Sequence, residues 1–333
     1  MISRRGLLLL GLAGTGALGA GLWFAPPGEE QGRFAPGDLA YPGLAERLGG
    51  AARIEVIRHA QRVTLLREGE SWRIEELEGY PARPGRVRET LTGLTELRLI
   101  EERSSDAAAH ARLGVDDPAS PGSTALRLRV LDASGAPLVD LLLGRRRVRT
   151  QGAAPETVYL RRAGEARAWL AEGRLVADAD PQLWVDRDIA NLPAERLRRA
   201  EIRRAGEEPL VVAREAAPEA PLRLVAPENA PSPDPLALDE IGRAFEMLTF
   251  TEVRRAGPDL PGEALGEARF LYTDEVTLTA WPRLHEGQFW VVLRAEGGPE
   301  AQALEARLRG WAYQLGQWKE KAIIPRLADL MPE

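Results

Sequence analysis

The order strand, strand, strand, helix, strand occurs twice in this chain, and few architectures accommodate it. In the first occurrence, residues 54–57, 62–67 and 71–74 alternate apolar and polar side chains. That period of two marks half-buried antiparallel strands. Pro81 and Pro84 precede a segment with Val87, Leu91, Leu94 and Leu97 on one face, which predicts a helix over 85–97, and 97–103 reads as the next strand. In the second occurrence, 200–203, 209–214 and 221–225 read as strands. A proline-rich loop over 226–235 leads to a predicted helix over 236–248, with Ile241, Phe245 and Leu248 as its stripe, and then to a strand over 248–254.

Each occurrence continues with further strands: 125–131, 137–143 and 157–161 in the first, and 268–272, 275–281 and 288–293 in the second. A helix over 165–172 is expected to close the first unit. Residues 181–192 join the two. A strand over 310–315 and a helix over 317–331 end the chain. Ser104 and Ser105 are expected to cap a short helix over 106–113. Antiparallel strands with one or two helices per unit predict an α+β fold of two related units, 53–192 and 193–333.

Ahead of these units lies a different kind of segment. Leu7 to Ala25 contains no charged residue, with Arg4 and Arg5 before it and Glu29 and Glu30 after it. Such a run is about 28 Å long as a helix, close to the ~30 Å hydrocarbon core of a bilayer. The positive residues stay on the cytoplasmic side, which predicts a single-pass anchor over 1–25 with everything after it outside the inner membrane. A cleaved export signal is the alternative, and it leaves the bulk of the chain in the same compartment. Gly14, Gly16 and Gly19 match a dinucleotide-binding spacing, but the second strand that such a loop requires is absent from the polar residues that follow, so no cofactor is expected. Residues 26–52, rich in proline, glycine and charge, read as a flexible tether with one short helix at 43–48.

Composition narrows the chemistry. The chain has 44 basic and 50 acidic residues, so the part beyond Arg4 and Arg5 carries 42 against 50. A net acidic domain argues against nucleic acid as a partner. With no cysteine among the 333 residues, thiol nucleophiles and thiolate metal sites are excluded. Lysine stands only at 319 and 321, which reads as a compositional bias toward arginine. His59, His110 and His285 are isolated, with no metal-binding spacing. Asp178, Asp180, Asp186 and Asp188 form the densest carboxylate group. They could serve glycoside hydrolysis or calcium binding, but they lack the spacing of a known loop and read better as turn residues.

Two groups stand out as contacts. Arg145, Arg146, Arg147 and Arg149 form the strongest basic run, expected on a hairpin loop, where it could meet an anionic lipid, a glycan or an acidic partner. Trp281 and Trp290 flank one expected hairpin and are the tryptophans expected to be exposed.

The motifs taken together resemble a known family. They are Gly69–Ile74 with its Trp72, Tyr80-Pro81-Ala82 before a helix, Leu94 and Leu97 at that helix's end, Glu101–Ser104, Ala111–Asp116, Leu141–Gly144, Val158–Leu160, Leu183–Ile189, and Gly310–Leu315 followed by Trp318 and Lys319. In this order they are similar to the bacterial domain of unknown function 4340. The resemblance implies a membrane-anchored exported protein associated with gliding-motility-type ABC transporter systems, with permease and ATPase subunits as partners. It implies no catalytic residues. The expected function is therefore a non-enzymatic extracytoplasmic scaffold or accessory subunit. A glycan- or lipid-binding module is the alternative, and an envelope hydrolase comes third.

Overall fold

The computed structural model describes residues 34–147, 155–215 and 220–332. The apolar segment over 7–25 and Arg149 lie outside them. Among the described residues no helix is long and apolar enough to cross a membrane.

The architecture is α+β, dominated by two large antiparallel sheets with few helices. The first sheet contains β1 (Ala51–Arg58), β2 (Gln61–Glu68), β3 (Ser71–Ile74), β4 (Tyr80–Pro81), β5 (Arg98–Glu102), β6 (Leu126–Asp132), β7 (Pro137–Arg147), β8 (Thr157–Arg162) and β9 (Ala168–Glu172). Its spatial order is β4-β3-β2-β1-β6-β7-β8-β9-β5. A two-stranded ribbon pairs β10 (Asp188–Ala190) with β14 (Leu248–Thr249). The second sheet contains β11 (Leu197–Arg204), β12 (Leu210–Arg214), β13 (Leu222–Ala226), β15 (Glu252–Arg255), β17 (Gly266–Tyr272), β18 (Val276–His285), β19 (Gln288–Gly297) and β20 (Trp311–Leu315). Its order is β13-β12-β11-β17-β18-β19-β20-β15, with the short β16 (Glu263–Ala264) paired to β18.

The two sheets follow one plan. Ile54 of β1 lies between Leu65 and Val130, as Ala200 of β11 lies between Val212 and Phe270. Both first strands shift register at the same place, between Ala51 and Arg53 and between Leu197 and Arg199. An Arg–Glu pair follows each shift: Arg53–Glu55 and Arg199–Glu201, both at 2.8 Å. Arg67 donates to the Ala51 carbonyl (3.3 Å) as Arg214 donates to that of Leu197 (3.2 Å).

In each sheet a helix connects one edge to the other: α2 (Pro84–Glu96) from β4 to β5, and α4 (Pro235–Gly242) from β13 toward β15. A flat sheet of nine strands would be about 38 Å wide, whereas α2 is about 20 Å long. The first sheet must therefore curve toward its helix. Val87, Leu94 and Thr90 of α2 are buried, and Thr90 donates to the Val176 carbonyl beyond β9 at 2.6 Å. Gly93 lets that segment approach closely, since a Cβ there would stand 2.5 Å from the Arg174 carbonyl oxygen. Gly93→Val is expected to cost about 3 kcal/mol in urea unfolding, the upper part of the overpacking range, because the atoms it would meet are backbone of a segment that Thr90 ties down and whose Leu175 and Val176 are buried.

Several elements differ from the sequence expectation. Residues 34–50 are not a free tether. Gly37 and Ala40 donate to the carbonyls of Leu99 and Leu97, and Ala40 and Leu44 are buried, the latter in the short helix α1 (Leu44–Arg47). Residues 168–172 form strand β9, not a helix. Ala168 to Ala171 are all buried because both faces of β9 are covered, Trp169 and Ala171 by the main core and Ala168 and Leu170 by Val115, Leu142 and Tyr159, and a continuous apolar run carries no period to read. The closing helix is cut to α6 (Lys319–Ile323), since Pro325 has no N–H to donate back to the preceding turn, at the Lys321 carbonyl. The helix expected over 236–248 stops at Gly242. Helix α3 (Ala107–Leu113) is capped by Asp106, which accepts from the Ala108 N–H at 3.0 Å, while Ser104 Oγ holds the Asp106 N–H. The helix α5 (Pro299–Leu308) was not foreseen. Its signals were Pro299 at the first position and the buried Ala301, Leu304 and Leu308.

Candidate functional site

The two sheets meet where the turn between β3 and β4 reaches the far edge of the second sheet. Glu78 sits in a left-handed conformation, Gly79 follows, and Tyr80 opens β4. The Tyr80 ring packs edge-on against Trp311 at 4.9 Å, Phe250 at 5.5 Å and Tyr313 at 6.4 Å between centroids. All four rings are buried. Burial pushes the hydroxyls of Tyr80 and Tyr313 up from the usual phenol range, so both remain neutral. The Glu78 carboxylate accepts the Arg255 N–H at 2.7 Å, and the Arg255 guanidinium lies 4.1 Å from the Trp311 ring centroid. Further along, Arg83 donates to the Trp184 carbonyl at 2.7 Å, and Arg307 donates to that of Asp188. The junction is an aromatic knob held in a filled socket.

A second site lies on the first sheet. Phe34, Pro36, Glu102, Ser105, Arg167 and Trp169 line an open pocket of about 800 Å³. Arg167 pairs with Glu102 at 2.9 Å. Behind its wall Arg162 is buried, with its guanidinium 3.3 Å from the Phe34 ring centroid and one nitrogen 3.2 Å from Glu165. The other two nitrogens of Arg162 have no hydrogen-bond partner. Trp169 is only 3% exposed, so half-buried Phe34 and the paired Arg167 supply what aromatic surface and charge this pocket offers.

A family model for the domain of unknown function DUF4340 matches residues 72–261, more than half of the chain. The chain belongs to this family. The DUF4340 match opens at Trp72 in β3 and extends past β15, so it contains Glu78, Tyr80 and Phe250 of the junction. The comparisons with curated proteins and with solved structures gave no match.

Within this DUF4340 chain the arginine run falls on a strand instead of a hairpin loop. β7 continues through a register shift beyond Leu143 to Arg147. Arg145, Arg146 and Arg147 are exposed. Arg146 pairs with Glu156 at 2.6 Å, and Arg147 lies over Tyr159 at 5.4 Å, so two of the three are already engaged. Trp290 is buried, contrary to expectation, because Arg254 covers its ring at 3.9 Å. Trp281 is half-buried and its indole N–H donates to Glu267 at 3.0 Å. Among the described residues Trp318 is the tryptophan that is largely exposed, at 69%. Asp178, Asp180 and Asp186 each accept a backbone N–H two residues on, from Asp180, Gln182 and Asp188. Their oxygens serve local turns. The pocket at Trp169 was hidden from sequence reading, because the run that contains it was read as a helix.

Proposed function

We propose that the chain is a non-enzymatic, membrane-anchored extracytoplasmic scaffold or accessory subunit of an ABC-type envelope transport system, built from two copies of one α+β unit. The observation that carries this reading is the junction. An aromatic knob buried in an aromatic socket fixes one sheet against the other, as a body that must present surfaces at a set distance requires. The DUF4340 relationship supports the class of partner, and the uncharged run over 7–25 supports the anchor. Duplication is supported by the shared strand order and by the repeated Arg–Glu pair. Purification of the tagged chain from membranes in mild detergent is expected to bring permease and ATPase subunits with it. Recovery of the chain without any transporter subunit would overturn the reading.

A further inference from the structure

Helices α2 and α4 occupy the same place in the two units. Arg83 donates to the Trp184 carbonyl and Asp234 to that of Leu330, each at 2.7 Å, and a proline opens the helix directly after each. Leu97 and Leu248, at the same interval beyond, are buried, and Leu99 and Phe250 then donate to the carbonyls of Asp38 and Arg187. Gly85, Glu89 and Glu96 are therefore the counterparts of Leu236, Glu240 and Met247. Leu160 lies between Leu143 and Trp169 as Val291 lies between Pro282 and Tyr313, so Trp169 matches Tyr313. At the same interval beyond them, Arg174 matches Trp318.

The two helices differ in how one carboxylate is satisfied. On α2, Glu89 is paired with Arg174 at 3.0 Å. On α4 the arginine is replaced by Trp318, which lines an open pocket of about 610 Å³ together with Glu240. Glu240 has no ion-pair partner among the described residues. The other charged groups of that pocket are engaged: Glu320 with Arg204 at 2.8 Å, Arg326 with Glu207 at 3.4 Å and Lys321 with Asp329 at 3.9 Å. The buried Lys319 ammonium donates to the carbonyls of Arg243 and Ala244 and lies 4.5 Å from the Trp318 ring centroid. That places the indole beside the end of α4, next to the turn that carries Met247. Leu236 stands one turn before Glu240. Leu236 and Met247 are 73% and 78% exposed. With glycine, glutamate and arginine at the three counterpart positions the first unit folds in the same way, so the fold does not require apolar groups there.

We infer that this face of α4 is a docking surface for an amphipathic helix of another protein, one that carries a lysine or arginine between two apolar residues. The cation takes the place that Arg174 has in the first unit: it pairs with Glu240 and lies against the Trp318 ring. The flanking apolar residues cover Leu236 on one side and Met247 on the other. These groups succeed one another along α4 and the turn after it, so a second helix laid alongside meets them with a single stripe. Isolated exposed apolar side chains are ordinary. Here three of them border a carboxylate that the sister unit neutralises from within. The surface stands without the scaffold reading; the expectation that a transporter subunit carries the helix rests on it.

The test places a benzophenone side chain at position 243 of the full chain, in membranes of the cells that make it. Arg243 is exposed and stands between Glu240 and Met247. Irradiation is expected to join the chain to one other protein, through a segment with a lysine or arginine between apolar residues at helical spacing. Met247→Glu, which copies Glu96, and Trp318→Arg, which copies Arg174, are each expected to lower the yield about tenfold or more, as loss of a central anchor does. Thermal unfolding checks that both variants keep their fold. The cross-linked segment, made as a peptide, is expected to bind the purified chain. Replacing its basic residue by glutamine is expected to weaken binding to the native chain but not to Glu240→Gln. No cross-link, cross-links only to lipid or to a second copy of this chain, undiminished yield in either variant, or a basic residue indifferent to Glu240 overturns the inference. A cross-link to a protein that is no transporter subunit overturns the scaffold reading and leaves the surface standing. Transporter subunits that co-purify without a cross-link at position 243 remove the surface alone.

Discussion

Tyr80→Ala is expected to lower the stability of the chain by about 3–4 kcal/mol, the range for removing a buried aromatic ring from a packed core. The ring is in contact with three others, and each well-oriented aromatic pair adds about 0.5–1.5 kcal/mol to the area it buries. The cavity left behind cannot close easily, because Phe250 and Tyr313 are fixed by strands on either side of it. Tyr80→Phe keeps the ring and is expected to cost about 1 kcal/mol, the worth of one hydrogen bond. Urea unfolding followed by tryptophan fluorescence measures both. Trp311 is the nearest ring and one of eight tryptophans whose summed emission follows the unfolding. A loss below 1 kcal/mol for Tyr80→Ala would mean that the sheets are held together elsewhere, through contacts such as Arg83 with Trp184.

The sequence made the strands legible wherever one face meets solvent. β6 and β17 alternate in burial and are legible within a few residues of their ends. The same rule fails at β9, where both faces are covered and four successive residues are buried. That failure also hid the pocket that Trp169 borders, since Trp169 sits in this run. The beginning of the first unit was also missed, because prolines and glycines made 26–52 look like a tether. A repeat would have found it: Ala45-Glu46-Arg47-Leu48 ahead of β1 is the same four residues as Ala194-Glu195-Arg196-Leu197 at the start of β11. In both places a short helical turn leads into the first strand. The ring contacts could not be read at all. Arg254 covers Trp290 from a strand 36 residues away, and the Glu78–Arg255 bond spans 177 positions. Alternation tells which face a residue takes, but not which distant side chain lies on it.

Lysine 319 is the residue for which composition misled most. A bias toward arginine accounts for 42 of the 44 basic residues, yet a lysine stands at this buried position. Its ammonium enters the core at the end of α4 and donates to the carbonyls of Arg243 (3.1 Å) and Ala244 (2.6 Å), with the Trp318 ring centroid 4.5 Å away. A compact ammonium with three donors reaches both adjacent carbonyls from one atom. Lys319→Met is expected to cost about 2–3 kcal/mol at pH 7, because two buried carbonyls lose their donor. Burial, opposed by Glu246 and Glu240, moves the Lys319 group down to about 8, well below its ordinary 10.5. Between those two values the unfolded chain holds the proton and the folded chain releases it. The proton count is thus higher in the unfolded state, and the contribution of this residue to stability rises with pH through that window. Two carbonyl acceptors suit a neutral amine, which still has two N–H donors. The stability difference between the native chain and Lys319→Met is therefore expected to widen by about 2 kcal/mol from pH 7.5 to pH 10. Urea unfolding of both proteins at each pH measures it, and a difference that narrows over this range would refute the assignment.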